Sequence, residues 1–154
     1  MSHFNIIQLM PDKGTDRINE NALYEDHYFH ARCDYGGNEK EYAEVIDTIK
    51  RELRPVAFVN KRRRTVTFKS KNSVREYLIR NARKAVNELT KTLRIGKGEI
   101  SSDWALRSRL ESVGCCEDFF HLDYCRPLSD ILLDYYHGYI PKTMYIGTIL
   151  NGHF

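Results

Sequence analysis

The sequence predicts one α+β domain over residues 1–154, with a mixed, mainly antiparallel sheet of about five or six strands and about four helices packed on it. Three observations predict this fold class. The chain has 154 residues, 42% hydrophobic and 29% charged, which is the size and composition of one globular domain. Apolar runs with a period of two are interspersed with runs of helical period. Strands and helices do not alternate regularly, as they would in a parallel α/β fold.

The N-terminal third is predicted to form two strands and one helix. The apolar run from His3 to Met10 predicts a first strand, which ends at the turn-forming residues 11–14. An aromatic segment predicts a second strand over about 27–34. A helix then begins near Asn38 and extends to about Arg54, because apolar residues recur there at helical spacing and a proline follows.

The next segment predicts a β-hairpin with a basic tip. Two runs rich in strand-forming residues, Val56 to Asn60 and Arg64 to Lys69, are separated by Lys61, Arg62 and Arg63. Successive side chains of a strand point to opposite faces of the sheet. The residues expected to share one face of the hairpin are Val56, Phe58, Val66 and Phe68.

The second half of the chain predicts three more helices and two more strands. Ser73 and Glu76 match a capping box, so a long helix is expected from Ser73 to about Arg94. Its apolar stripe consists of Val74, Leu78, Ala82, Ala85, Val86, Leu89 and Leu93. The other predicted elements are a helix over 102–114, a strand over 119–125, a helix from Pro127 to Gly138 and a final strand over 143–150.

Positive charge is concentrated in the centre of the chain. The net charge is +3, but residues 61–97 hold 13 Lys and Arg against Glu76 and Glu88, a net charge of +11. Residues 1–60 and residues 98–154 each carry a net charge of −4. A block with eleven excess positive charges either faces a polyanion or folds against the acidic flanks.

The basic block is expected to bind nucleic acid, either DNA or RNA, or another polyanion. Phosphate binding needs several Lys or Arg side chains on one surface, and the hairpin tip with one face of the long helix supplies them. The predicted contact residues are Lys61, Arg62, Arg63, Arg64, Arg75, Arg80, Arg83, Lys84, Lys91 and Arg94. The alternative is internal pairing with acidic residues of the first helix, which are Glu41, Glu44, Asp47 and Glu52.

Base stacking is a further way for the hairpin to contact a nucleic acid. Phe58 or Phe68 would stack on bases if its ring faced solvent on the sheet surface. Their alternation with valines, beside an amphipathic helix, favours burial in the core. Contacts from arginine and lysine to the phosphate backbone are therefore expected to dominate.

Catalysis is a weaker hypothesis, because the sequence carries no catalytic motif. The G-x-S-x-G, H-E-x-x-H, P-loop and dinucleotide-binding patterns are absent. A small hydrolase or nuclease would use His30 or His121 as a general base, with Asp123 as an accompanying carboxylate. His27, His30 and Cys33 lack the tight pairing of zinc ligands, so neither a metal nor a cofactor is expected.

A protein partner is the other alternative to nucleic acid. A phage or mobile-element protein that binds and inhibits another protein would use the acidic flanks and the ten tyrosines of this chain. The tyrosine-rich C-terminal segment is also a candidate for a symmetric contact between two copies.

The expected location is the cytoplasm. Residues 1–10 lack the basic and apolar regions of a secretory signal, and no run approaches the length of a membrane helix. The four cysteines are therefore interpreted as reduced thiols, and no contact with a membrane is expected.

Overall fold

The computed structural model describes residues 3–18, 33–34, 39–95 and 119–153, which contain seven strands and three helices. The strands are β1 (His3–Met10), β2 (Cys33–Asp34), β3 (Ala57–Asn60), β4 (Thr65–Phe68), β5 (Phe119–His121), β6 (Cys125–Pro127) and β7 (Thr143–His153). The helices are α1 (Glu39–Leu53), α2 (Lys71–Ile95) and α3 (Leu128–His137).

The strands form one mixed sheet in the order β3-β4-β7-β1-β5-β6. β1 and β5 are parallel, whereas the other described pairs are antiparallel. β4 pairs with residues 143–145 of β7 and β2 with residues 151–152, so both lie on the edge of β7 that β1 does not occupy. The predicted fold class, α+β with a mixed and mainly antiparallel sheet, is confirmed.

All three described helices cover the same face of the sheet. Ile49 of α1, Val74 of α2 and Ile131 of α3 are buried in one cluster with Phe68 and Met144 of the sheet. Burying an apolar side chain of this size contributes roughly 1.5–3 kcal/mol, so this cluster is the main source of stability. Three helices lie in the described residues, against about four expected.

In the described part of the chain, the opposite face of the sheet is buried in one half and open in the other. Phe4 and Ile6 of β1 form a small buried cluster with Leu150 of β7. Along β3, β4 and the start of β7, the side chains on this face are exposed or half-buried. This open face consists of Phe58, Asn60, Thr65, Thr67, Thr143 and Tyr145.

The long helix begins earlier than predicted. α2 starts at Lys71, and its cap is Ser70, whose Oγ accepts a hydrogen bond from Ser73 N at 3.2 Å. Val74 N donates to Ser70 O at 3.1 Å, as in the first turn of a helix. Ser73 is therefore not the cap, because Ser70 supplies the same hydroxyl three residues earlier.

The strand predicted over 119–125 is a pair of short strands. His121 of β5 pairs with Cys125 of β6, and residues 122–124 form the turn between them. Asp123 and Tyr124 are exposed in this turn, and aspartate favours such positions. The chain therefore reverses here, and β6 becomes the edge of the sheet.

The end of α3 matches its prediction. Gly138 has φ 85°, a left-handed conformation that glycine adopts without steric cost. Its N–H donates to Tyr135 O at 3.1 Å, and Tyr139 N donates to Asp134 O at 2.9 Å. β7 then extends to His153, three residues beyond the predicted end.

Two other predictions fall wholly or mainly outside the described residues. The strand predicted over 27–34 is described only at residues 33–34, which form β2. The helix predicted over 102–114 lies outside the described ranges.

Candidate nucleic-acid interface

The open face is built by the alternation of side chains along three neighbouring strands. In β4, Val66 and Phe68 are buried, so Thr65 and Thr67 point to the opposite face. Thr67 is directly opposite Phe58 on β3 and Thr143 on β7. β4 and β7 therefore present a row of small hydroxyl side chains beside the aromatic ring that β3 supplies.

Phe58 lies on the face opposite to the one predicted. Ala57 and Val59 are the buried residues of β3, whereas the Phe58 side chain is 66% exposed. Val56 is buried just before the strand begins, so the alternation does not run from Val56 to Phe58 as expected. The expectation that Phe58 shares a face with Phe68 was wrong, and Phe58 belongs to the open face.

The hairpin tip is a four-residue loop held in a defined conformation. Asn60 and Thr65 are the last paired residues, and Asn60 Oδ1 accepts a hydrogen bond from Arg63 N at 2.9 Å. Arg64 has φ 50°, a left-handed conformation that returns the chain to β4. Lys61, Arg62 and Arg63 are therefore displayed from an ordered loop.

A groove of about 1240 Å³ lies over the open face beside this tip, and we call it the sheet groove. Its uncharged lining includes Phe58, Asn60, Thr65, Thr67, Thr143 and Tyr145. Its charged lining consists of Lys13, Lys50, Lys61, Arg62 and Arg63. Among the described residues no carboxylate lines the sheet groove, so the charges of its lining are all positive.

Of the predicted contact residues Lys61 to Arg64, two already have partners within the chain. Lys61 Nζ lies 2.6 Å from Asp47 Oδ2, in a pair whose side chains are 46% and 57% exposed. The guanidinium of Arg64 lies 4.9 Å from the centre of the Tyr42 ring on α1, and Arg64 is outside the lining of the sheet groove. No described acidic residue pairs with Arg62 or Arg63, which point into the groove.

The basic residues of α2 line a second, separate groove of about 880 Å³, which we call the helix groove. Its cations are Arg80, Arg83, Lys84 and Lys91. Glu76 and Glu88 lie among them, and Glu88 Oε1 is 3.0 Å from Lys91 Nζ. Among the described residues, none lines both grooves, so the hairpin tip and α2 present two surfaces.

Among the remaining predicted contacts on α2, Arg75 is exposed in the first half of the helix and lies outside both grooves. The side chain of Arg94, near the C-terminal end of the helix, lies outside the described part of the chain. Among the described side chains of the apolar stripe predicted for α2, Val74 is buried and Leu78 is half-buried against the core. Farther along, Ile79 and Val86 are 37% and 59% exposed.

The alternative function, binding of a protein partner, stays a prediction.

The residues proposed for catalysis do not form a site in the described part of the chain. His121 is buried on β5, while Asp123 is exposed in the turn that follows it. His30 lies outside the described residues. Within the described ranges, no group of three or more His, Cys, Asp or Glu side chains could hold a metal ion.

Several residues of the sheet groove were not predicted from the sequence. Lys13 and Lys50 belong to segments distant from the hairpin, and no local pattern connects them with it. Tyr145 could have been assigned to the polar face of the last strand, because it alternates with the buried Met144 and Ile146.

No protein-family model, curated protein or solved structure matches this chain. None of the three described helices is both long and apolar enough to span a bilayer.

Proposed function

We propose that this protein binds nucleic acid through the sheet groove. The observation that supports the proposal is the charge of the groove, which combines five cations with no described carboxylate. The helix groove carries four cations and two carboxylates, so its net charge is smaller. A phosphate backbone is therefore expected to bind the sheet groove first.

Three separate elements supply the cations of the sheet groove. Lys13 follows β1, Lys50 lies in the last turn of α1, and Arg62 and Arg63 lie at the hairpin tip. Because these elements share one core, the cations are held around the groove before a ligand arrives. Such preorganisation lowers the entropic cost of binding several phosphates in succession.

The ion pair of Lys61 with Asp47 does not remove Lys61 from this surface. Exposed pairs of this kind contribute about 0–1 kcal/mol, so a phosphate can compete with the carboxylate. If four to five phosphates are neutralised, the logarithm of the binding constant should fall with the logarithm of salt concentration with a slope of roughly −3 for a single strand.

The test is a fluorescence-anisotropy titration of labelled single- and double-stranded DNA and RNA at low and near-physiological salt. The variant Arg62→Ala/Arg63→Ala removes two groove cations that have no described acidic partner. We expect weaker binding and a salt slope smaller by about 1.4, since each lost phosphate contact on a single strand changes the slope by about 0.7.

The matched control is Arg83→Ala/Lys84→Ala, which removes the same charge from the helix groove. We expect it to retain at least half of the wild-type affinity. Heparin serves as a polyanion without bases. Absence of binding at low salt, or an equal loss in both double variants, would contradict the proposal.

A further inference from the structure

The sheet groove contains an exposed aromatic ring that phosphate binding alone does not require. Phe58 is 66% exposed, although it lies in the middle of a strand whose neighbours Ala57 and Val59 are buried. Leaving an aromatic ring in water forgoes the stabilisation that burial would give it. A ligand with a flat apolar face would cover this ring.

The surface next to the ring is low and flat. Thr67 lies directly opposite Phe58 on β4, and Thr143 follows on β7, with their Oγ1 atoms 3.1 Å apart. Both side chains are short, so on the side of β4 and β7 that they occupy a planar group can lie against the ring without meeting a larger residue. Their hydroxyls remain close enough to contact its polar edge.

A cation lies over one face of the ring. Lys69 Nζ is 5.1 Å from the centre of the Phe58 ring and donates a hydrogen bond to Arg54 O at 2.6 Å. The phosphate of a nucleotide whose base stacks on the other face of Phe58 would therefore meet a positive charge close to the ring. Aromatic rings beside cations are the usual arrangement of surfaces that bind single strands.

A lysine over an aromatic ring occurs a second time, within the lining of the sheet groove. Lys13 Nζ lies 5.5 Å from the centre of the ring of Tyr145, which is half-buried on β7. Tyr145 on β7 lies directly opposite Thr65 on β4, two residues along β7 from Thr143. From strand spacings, the Cα atoms of Phe58 and Tyr145 are roughly 12 Å apart, which lets one extended strand contact both.

We infer that the sheet groove binds single-stranded nucleic acid, with one base stacked on Phe58. The inference rests on the proposed nucleic-acid binding and adds its ligand class. A duplex keeps the faces of its bases within its own stack, so it can meet the cations of the groove but cannot cover Phe58. The phosphates supply attraction, and the ring selects for unpaired bases.

The experiment compares three labelled ligands of about 12 nucleotides, a length within the range of one single-strand binding site. They are oligothymidylate, an abasic deoxyribose-phosphate strand of the same length, and a DNA duplex. The variants are Phe58→Ala and Phe58→Trp. Tyr139→Ala is the control, because Tyr139 is 77% exposed and lies outside the sheet groove.

We expect Phe58→Ala to weaken binding of oligothymidylate about 10-fold and to leave binding of the abasic strand and the duplex unchanged. Phe58→Trp should retain or increase the affinity for oligothymidylate, and Tyr139→Ala should behave as wild type. Thermal unfolding of each variant, expected within a few degrees of wild type, checks the fold.

Equal affinities of Phe58→Ala and wild type for oligothymidylate would overturn the inference while leaving the proposed function intact. Equal affinities of the wild type for oligothymidylate and for the abasic strand would do the same. Failure of the wild type to bind any of the three ligands at low salt would instead overturn the proposed function itself.

Discussion

Gln8 and Gly147 contact each other where the pairing of β1 with β7 is irregular. The Gln8 side chain is buried, and its Oε1 accepts hydrogen bonds from Thr148 N at 3.1 Å and Ile18 N at 3.2 Å. Its Nε2 donates to Asp16 O at 2.7 Å. One buried amide therefore ties β7 to the segment that follows β1 and carries Lys13.

A side chain at position 147 should disrupt this arrangement. A Cβ there would lie 2.8 Å from Cδ of Gln8 and 3.0 Å from Sδ of Met10, both closer than van der Waals contact. We expect Gly147→Ala to lower the free energy of unfolding by about 3 kcal/mol, from overpacking and weakened hydrogen bonds. Urea denaturation measures this difference.

A double-mutant cycle separates the contact from other effects of the alanine. In a Gln8→Ala background the overlap with Gln8 is relieved and the close contact with Met10 remains, so Gly147→Ala should cost at least 1 kcal/mol less than in wild type. Gly14→Ala, in an exposed turn, is the control and should change stability by less than about 0.5 kcal/mol. Additive effects of Gly147→Ala and Gln8→Ala would show that the contact with Gln8 is not the cause of the lost stability.

Arg126 and Asp134 form the most buried ion pair among the described residues. The guanidinium Nη1 lies 2.6 Å from Asp134 Oδ2, and the side chains are 10% and 25% exposed. Removing the carboxylate leaves a largely buried charge unpaired, so we expect Asp134→Ala to cost about 3 kcal/mol in the free energy of unfolding.

Asp130→Ala on the same helix is the matched comparison in urea denaturation. Asp130 is exposed in the first turn of α3, so its removal should cost less than about 1 kcal/mol. If both substitutions lower the free energy of unfolding equally, the burial of Arg126 does not determine how much its ion pair with Asp134 contributes to stability.

Arg62 and Arg64 should differ in their contribution to nucleic-acid binding, although they are two residues apart. Arg62 lines the sheet groove, whereas Arg64 lies against the Tyr42 ring. We expect Arg62→Ala to reduce the salt slope by about 0.7 and Arg64→Gly to leave it nearly unchanged. Glycine suits the left-handed backbone at position 64, so the hairpin should be preserved. Equal reductions in anisotropy titrations would contradict this assignment.

Ser70 should stabilise α2 more than Ser73. Ser70 Oγ accepts from Ser73 N, so Ser70→Ala removes the cap and is expected to cost about 1 kcal/mol. Ser73→Ala should cost less than half of that, because among the described residues its own hydroxyl contacts Ser70 Oγ, at 2.9 Å, and no helix N–H. Thermal denaturation of the two variants compares them, and the reverse order would restore Ser73 as the cap.

Local patterns were sufficient to predict most of the described elements. The bounds of β1 follow from its apolar run and the turn after it, and Gly138 ends α3 as its sequence position indicates. The start of α2 was predicted wrongly at Ser73, because Ser70 offers the same capping hydroxyl three residues earlier and caps the helix in the structure.

The candidate site was predicted only in part. Lys61, Arg62 and Arg63 stand out in the sequence as a run of charge. Lys13 and Lys50 do not, because they join the sheet groove through the pairing of β1 with β7 and the packing of α1 beside β3. Contacts between segments so distant in sequence have no local pattern to indicate them.

Sequence patterns are enough to predict the α+β class, the basic centre of the chain and the alternation that makes one side of each strand polar. Three features depend on the folded arrangement: Phe58 is exposed, Arg64 lies against Tyr42, and the hairpin and α2 line separate grooves. The reason is that side chains in a strand have a period of two, so a shift of one residue reverses the face. Within a run as uniformly apolar as Val56 to Val59, only the long-range pairing with β4 and packing against α1 choose which face is buried.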